Sequence, residues 1–172
     1  MDLIKKLQED QSLNDFICPH CEDEGIIVKH TNEVDIEKIL VIKVDDYYNS
    51  LHLKTPPPSI DCLIIQYCKE TQYKVYLVEL KNIKRITSIN KKNIEDKFDT
   101  TLFDFMSDRF RDHFFDENIN LKLQLILSAG KVMDSTIKTH RLDFLLGLKL
   151  FRFQGKLIGI NGVPPHPLIH PC

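Results

Sequence analysis

Apolar residues along the chain recur with two periods. Residues 2–9 place Leu3, Ile4 and Leu7 at helical spacing and predict a short amphipathic helix. Residues 18–25, Cys-Pro-His-Cys-Glu-Asp-Glu-Gly, predict a turn. A first strand pair is expected over 25–30 and 36–46, the second run being β-branched and mostly apolar. The stretch 54–59, Lys-Thr-Pro-Pro-Pro-Ser, neither pairs as a strand nor continues a helix, because proline lacks the donor and clashes. It predicts a stiff lead-in to the clearest unit, two apolar β-rich runs at 60–67 and 73–80 around the polar stretch Cys68-Lys69-Glu70-Thr71-Gln72. That is a hairpin signal, although the turn has no glycine. Residues 90–115 predict one long helix with Ile94, Phe98, Leu102, Phe105 and Phe110 on its apolar stripe. Residues 121–128 set Leu121, Leu123, Leu125 and Leu127 on one face of a strand, and 149–153 with 156–160 flank Gln154-Gly155 as a terminal hairpin. The proline- and histidine-rich residues 163–172 read as a tail. Helix, strands, long helix and further strands give an α/β class, a central mixed β-sheet flanked by helices.

Size and charge narrow the picture. At 172 residues the chain is one domain, large enough to bury a core unaided. A net charge of −2 gives no global attraction to nucleic acid, so such a role must rest on local patches. No apolar run reaches the roughly 18 residues of a membrane span, and the opening Met1-Asp2-Leu3-Ile4-Lys5-Lys6 lacks the apolar region of a signal peptide. These features place the chain in the cytoplasm, with its five cysteines mainly reduced.

The hairpin carries the most specific chemistry. A turn centred on Glu70 pairs Cys68 with Gln72 and, along the same ladder, Asp61 with Glu79. Directly opposed residues share a face, with Cβ atoms roughly 4.5–5.5 Å apart, and period-two alternation puts Lys81 on that face too. A slip of one residue destroys the arrangement. Two carboxylates so close repel by about 3 kcal/mol at an effective dielectric of 20. A divalent cation relieves the repulsion, and oxygen ligands with water suit Mg²⁺ or Mn²⁺. The metal would polarise a phosphoryl oxygen and aid formation of a hydroxide nucleophile, with Lys81 orienting water or neutralising developing charge. The plainer reading is an exposed hairpin end whose charges are worth about 0–1 kcal/mol. Against it, Asp61 follows three prolines and precedes Leu63-Ile64-Ile65, a context that implies burial.

Asp61…Glu79-Leu80-Lys81 resembles the motif of the PD-(D/E)xK, or restriction-endonuclease-like, nuclease superfamily. Ile60 rather than proline precedes the aspartate, with Pro58 three residues before it. The resemblance implies metal ligation by Asp61 and Glu79 with the Leu80 carbonyl, and a catalytic lysine at Lys81. It also implies a helix and a further strand after the hairpin, as at 90–115 and 121–128, which gives a core over 36–128. An acid on the first core helix often joins such sites, and Glu9 is the residue this implies. A polar residue on the helix after the hairpin is also usual there, which points to Lys97 or Asn93. The implied activity is Mg²⁺-dependent endonucleolytic cleavage of DNA, of restriction or of junction and repair type. A small single-domain enzyme cutting both strands needs two sites, hence a homodimer.

Downstream of the motif, Lys84, Arg85, Lys91, Lys92 and Lys97 follow Lys81 with only Glu95 and Asp96 against them. This local excess suits a phosphate backbone, although a solvated loop and helix start explains it equally well. A second basic stretch, Lys131, Lys138, His140 and Arg141, is a weaker DNA contact. A nuclease-like fold that only binds nucleic acid is the non-catalytic alternative.

Cys18-Pro19-His20-Cys21 competes for attention. It resembles the tetrad of thioredoxin-like thiol-disulfide oxidoreductases, and Gly162-Val163-Pro164 echoes their proline loop. The acidic Glu22-Asp23-Glu24 that follows raises rather than lowers a thiolate pKa. A structural Zn²⁺ is the other reading. Cys18 and Cys21 supply two of four ligands, leaving His20, His30 or a tail histidine with Cys172 to complete the set. Cys62 and Cys68 fall on the hairpin face opposite Asp61, among the core residues.

Overall fold

The computed structural model describes residues 2–83, 88–129 and 144–172. Helix α1 (Leu3–Gln8) is capped by the Asp2 carboxylate, which accepts from the Ile4 amide, and it buries Leu3, Ile4 and Leu7. Four short strands follow: β1 (Ile17–Cys18), β2 (Glu22–Asp23), β3 (Ile26–Ile27) and β4 (Lys29–His30). Then come β5 (Ile39–Lys43), α2 (Val44–Ser50), and the long hairpin β6 (Cys62–Lys69) and β7 (Gln72–Leu80). The prolines before β6 form no regular element, as expected of residues that cannot donate.

The hairpin register matches the sequence pattern from Cys62↔Val78 to Tyr67↔Tyr73. The turn differs. Lys69, not Cys68, faces Gln72, because one extra residue is accommodated between Tyr67 and Lys69. Glu70 takes the left-handed conformation at φ 52°, in the place glycine usually fills.

Helix α3 (Lys91–Asp99) runs on into a π-helical segment, Thr100–Arg109, and then α4 (Arg111–Phe114). The helical stretch expected over 90–115 is therefore present but widened. Phe110 N–H bonds the Phe105 carbonyl and Ser107 Oγ bonds the Leu102 carbonyl, both five residues back. Ile94, Phe98, Leu102 and Phe105 are all buried, so the stripe is as read from the sequence. Strand β8 (Asn120–Ser128) returns parallel to β7, from Gln72↔Asn120 to Leu80↔Ser128. Strands β9 (Phe151–Phe153) and β10 (Lys156–Ile158) form the terminal hairpin about Gln154-Gly155. Beyond them β11 (Ile160–Val163) adds in parallel to β8.

The central sheet is mixed and six-stranded, in the order β1-β5-β6-β7-β8-β11. One face carries Leu63, Ile65, Val75, Leu77, Leu125 and Leu127 and packs against α1, α2, α3 and the π-helical segment. The other carries Cys62, Ile64, Tyr76, Val78, Leu80 and Ile126, and Ile26 and Ile169 cover it. Among the described residues the buried apolar side chains of these helices belong to the first cluster, so the flanking helices pack on one face.

Three expectations need correction. Residues 25–30 do not pair with 36–46. Strand β3 pairs with β2, while β5 pairs with β1 and β6, because residues 36–38 form a 3-10 turn and α2 begins at Val44. The last residues are no loose tail: β12 (Leu168–Ile169) pairs in parallel with β4, and the Gln66 amide donates to the His170 carbonyl. The cysteines are not mainly reduced. Disulfides join Cys21 to Cys62 and Cys68 to Cys172, leaving Cys18 free. Among the described residues no helix is long and apolar enough to cross a membrane.

Candidate active site

Period-two alternation puts Asp61 and Glu79 on the helix-covered face at the open end of the β6–β7 hairpin. Asp61 stands one residue before β6. Its carbonyl accepts from the Val44 amide at 3.2 Å, and its Oδ2 accepts from the Leu80 amide at 2.6 Å. The aspartate thus ties the entry of one strand to the exit of the next. It is 3 % exposed and Glu79 is 0 % exposed.

Burial of two acids side by side dominates the electrostatics. Desolvation and the neighbouring Glu79 push the Asp61 carboxyl up to about 7, against the opposing pull of the Leu80 amide, Lys97 and Lys81. Glu79 is likewise raised by burial, and the Lys97 and Lys81 ammonium groups oppose the rise. Burial lowers the Lys81 ammonium, but Glu79 and Asp61 more than compensate and hold its pKa above the ordinary lysine value.

Two ammonium groups converge on one oxygen. Lys97 Nζ lies 2.7 Å from Glu79 Oε1 and 3.8 Å from Asp61 Oδ1, and Lys81 Nζ lies 3.2 Å from the same Oε1. Glu79 Oε2 is buried and has no hydrogen-bond partner among the described residues. An unsatisfied buried acceptor costs about 1–3 kcal/mol. Lys97 arrives from α3, whose N-terminus is capped by the Asn90 side chain bonding the Asn93 amide. Three residues from Ile94 on the helix, it shares that core-facing side and extends its stem across the sheet. Asn93, the other residue of α3 considered for the site, is exposed.

The structure therefore brings together Asp61, Glu79, Lys81 and Lys97, with Leu80 between them. It does not bring in Glu9. That residue ends α1, is exposed, and pairs weakly with Lys5 at 3.9 Å. Helix α1 sits at the turn end of the hairpin, where the Leu3 amide bonds the Tyr73 hydroxyl. Tyr73 is six residues from Glu79, roughly 20 Å along an extended strand. Lys91 lies over the Phe144 ring, and Lys92 pairs with Asp96, both on the exposed side of α3. Lys84, Arg85 and the second basic stretch lie outside the described residues.

Sequence reasoning missed Glu24. Its Oε2 accepts from the Asn82 amide at 2.6 Å, and its Oε1 lies 3.4 Å from Lys81 Nζ. The Asn82 amide, and less strongly Lys81, hold its carboxyl below the usual range, with burial opposing them. No local signal marks it; only the Glu24-Gly25 turn hints at a hairpin.

The two thiols of the Cys-Pro-His-Cys stretch are not a pair. Cys21 is bonded to Cys62, and burial raises the free Cys18 thiol, the opposite of what a thiolate nucleophile needs. The same bond removes Cys21 as a zinc thiolate in this form of the protein.

Comparisons of the chain with protein-family models, with curated proteins and with solved structures find no match.

Proposed function

We propose that this protein is a Mg²⁺-dependent nuclease that hydrolyses phosphodiester bonds in DNA, on a restriction-endonuclease-like fold and as a homodimer. The observation that carries the reading is the buried convergence of Asp61 and Glu79 beside Lys81, with Glu79 Oε2 left unpartnered. The order of elements supports it. An antiparallel hairpin bears the motif, and a helix then leads to a strand parallel to its second arm, as the family resemblance implies.

The donors fit a hard divalent cation. Among the described residues there is no group of three or more His, Cys, Asp or Glu able to hold a metal. Mg²⁺, however, keeps several waters and asks for only one or two carboxylates. Asp61 and Glu79 would hold it, with the Leu80 carbonyl as the further ligand the resemblance implies. When bound, the ion supplies Lewis-acid polarisation of a phosphoryl oxygen.

The chain's own groups do the rest. Lys81, beside Glu79 Oε1, serves as hydrogen-bond donor and positive charge. Hydrolysis adds water to phosphorus and breaks the bond to one sugar oxygen, which takes up a proton. Lys97 screens Glu79 from Asp61 and fixes the carboxylate plane. Lys91 and Lys92, exposed at the start of the helix that delivers Lys97, offer a track for the phosphate backbone. One such site is found among the described residues, and a second copy of the chain provides the site for the other strand.

The test is cleavage of supercoiled plasmid with Mg²⁺ or Mn²⁺, comparing wild type with Asp61→Asn and Lys81→Ala after circular dichroism shows all three folded. Each variant is expected to lose cleavage by about a hundredfold or more. Equal activity in the three proteins, or none in any, counts against the assignment.

A further inference from the structure

The hairpin that carries Glu24 grips the site from two sides. Strands β2 and β3 pair Asp23 with Ile26, so Glu24 and Gly25 form a two-residue loop. Both have positive φ, 49° and 76°. Such a loop closes a twisted hairpin well, but left-handed backbone is unfavourable for a non-glycine residue such as Glu24. A glutamate held there makes three contacts with the strand exit. It accepts from the Asn82 amide at 2.6 Å and meets Lys81 Nζ at 3.4 Å, while its carbonyl accepts from Asn82 Nδ2 at 3.1 Å. The root of the hairpin is fixed on the other arm. Cys21 is bonded to Cys62, the residue after Asp61, and its carbonyl accepts from the Val28 amide at 2.9 Å. Ile26 is buried in the cluster that contains Cys62, Val78 and Leu80. The hairpin is thus joined covalently to the arm of Asp61 and ionically to the arm of Lys81.

We propose that Glu24 is a positioning residue for Lys81, held in place by the Cys21–Cys62 disulfide. The proposal rests on the nuclease reading of the site. Lys81 Nζ lies between two carboxylates, 3.2 Å from Glu79 Oε1 and 3.4 Å from Glu24 Oε1. With Glu79 alone, a partly exposed four-carbon stem has room to swing outward; the second acid removes that freedom. The rival role, a carboxylate that blocks Lys81 from a phosphate, fits less well. The shortest bond of Glu24 goes to the Asn82 amide, so the residue keeps its anchor when the lysine turns to substrate.

Two measurements on the full, oxidised chain test this. In the first, lysines are reductively methylated with formaldehyde and cyanoborohydride, and the rate at Lys81 is read by mass spectrometry against Lys91 and Lys92. Glu24→Gln is expected to raise the Lys81 rate about threefold relative to those references, because one partner of an exposed ion pair is gone. Glu24→Asp is expected to restore part of the protection. In the second, plasmid cleavage by Glu24→Gln is expected to show kcat down about tenfold with KM within about twofold, the signature of lost orientation rather than lost binding. An unchanged Lys81 labelling rate, or faster cleavage, overturns the proposal. If wild type cleaves nothing, the nuclease reading fails and with it a catalytic purpose for Glu24, while labelling still shows whether Glu24 holds Lys81. An active wild type with unaltered Lys81 labelling removes Glu24 alone.

Discussion

The β6–β7 hairpin buries two pairs of polar side chains, and they are treated in opposite ways. On the face covered by the N-terminal hairpin and β12, the Tyr76 hydroxyl donates to Gln66 Oε1 at 3.0 Å, and Gln66 Nε2 donates to the His170 carbonyl at 3.2 Å. Both groups are neutral, and burial pushes the Tyr76 hydroxyl up to about 12, so it stays neutral across the physiological range. On the helix-covered face, Asp61 and Glu79 are ionisable. Their lysines crowd onto a single oxygen while Glu79 Oε2 has no partner among the described residues. The same hairpin supplies both pairs, Asp61 from the residue that enters β6 and the other three from the strands themselves, so the difference lies mainly in side-chain chemistry. A polar network built for stability satisfies its members. Here one buried carboxylate oxygen is left without a hydrogen-bond partner among the described residues, and that oxygen is what the proposed cation would engage.

Four experiments probe this contrast. The largest effect is expected from Lys97→Met, which leaves buried Glu79 with Lys81 alone. Urea unfolding at pH 8 is expected to show a loss of about 3–5 kcal/mol, the usual cost of breaking a buried pair from one side. A loss below about 1 kcal/mol would mean the pair is effectively solvated.

Next is the pH dependence in metal-free buffer. The folded Asp61 carboxyl titrates at about 7 against an ordinary value of 3.8. Between those limits the folded state holds a proton that the unfolded chain has released. Stability from this group is therefore full below about pH 4, falls as pH rises, and is lost by about pH 7. The integrated loss is roughly 4 kcal/mol. Asp61→Asn is expected to flatten that slope in denaturant titrations from pH 4 to 8; an unchanged slope would assign it to other groups.

Third, Glu79→Gln is expected to cut plasmid cleavage about a hundredfold, with KM for DNA little altered if the residue acts on the reacting phosphate rather than in binding. The smallest effect lies in the satisfied pair. Tyr76→Phe leaves Gln66 Oε1 short of a donor and is expected to cost about 1–3 kcal/mol in thermal or urea unfolding. Cleavage should persist in the folded variant, and its disappearance would blur the division between the two faces.

Much of this geometry was legible in the chain. The apolar runs on either side of Glu70 place the turn and pair β6 with β7, and so oppose Asp61 and Glu79, because a shift of one residue in either strand moves its side chains to the other face and parts the two acids. The alternation in β8 and the stripe of α3 were equally plain. Lys97 stood among several basic residues and, with Asn93, as a polar residue that the resemblance turns toward the site; spacing alone does not choose Lys97 over Asn93. That Lys97 points inward follows from its place beside Ile94 and Phe98 on a helix whose docking angle is a tertiary matter. Glu9 was misplaced because helical spacing shows that α1 packs but not at which end of the sheet. Glu24 and the disulfides were out of reach for a common reason. Cys21 and Cys62 lie 41 residues apart in sequence and Cys68 and Cys172 lie 104 apart, and cysteine connectivity does not follow from spacing. The order of the last ten residues likewise depends on β4, a two-residue strand with no periodicity of its own.

On the proposed reading, Asp61 and Glu79 together take up one divalent cation. Mn²⁺ titration followed by electron paramagnetic resonance addresses it without any DNA, in wild type and in Asp61→Asn and Glu79→Gln. One bound Mn²⁺ per wild-type chain is expected, with weakening of at least about tenfold in each variant. Mn²⁺ uptake that is the same in all three proteins, or none at millimolar metal in wild type, would contradict that reading.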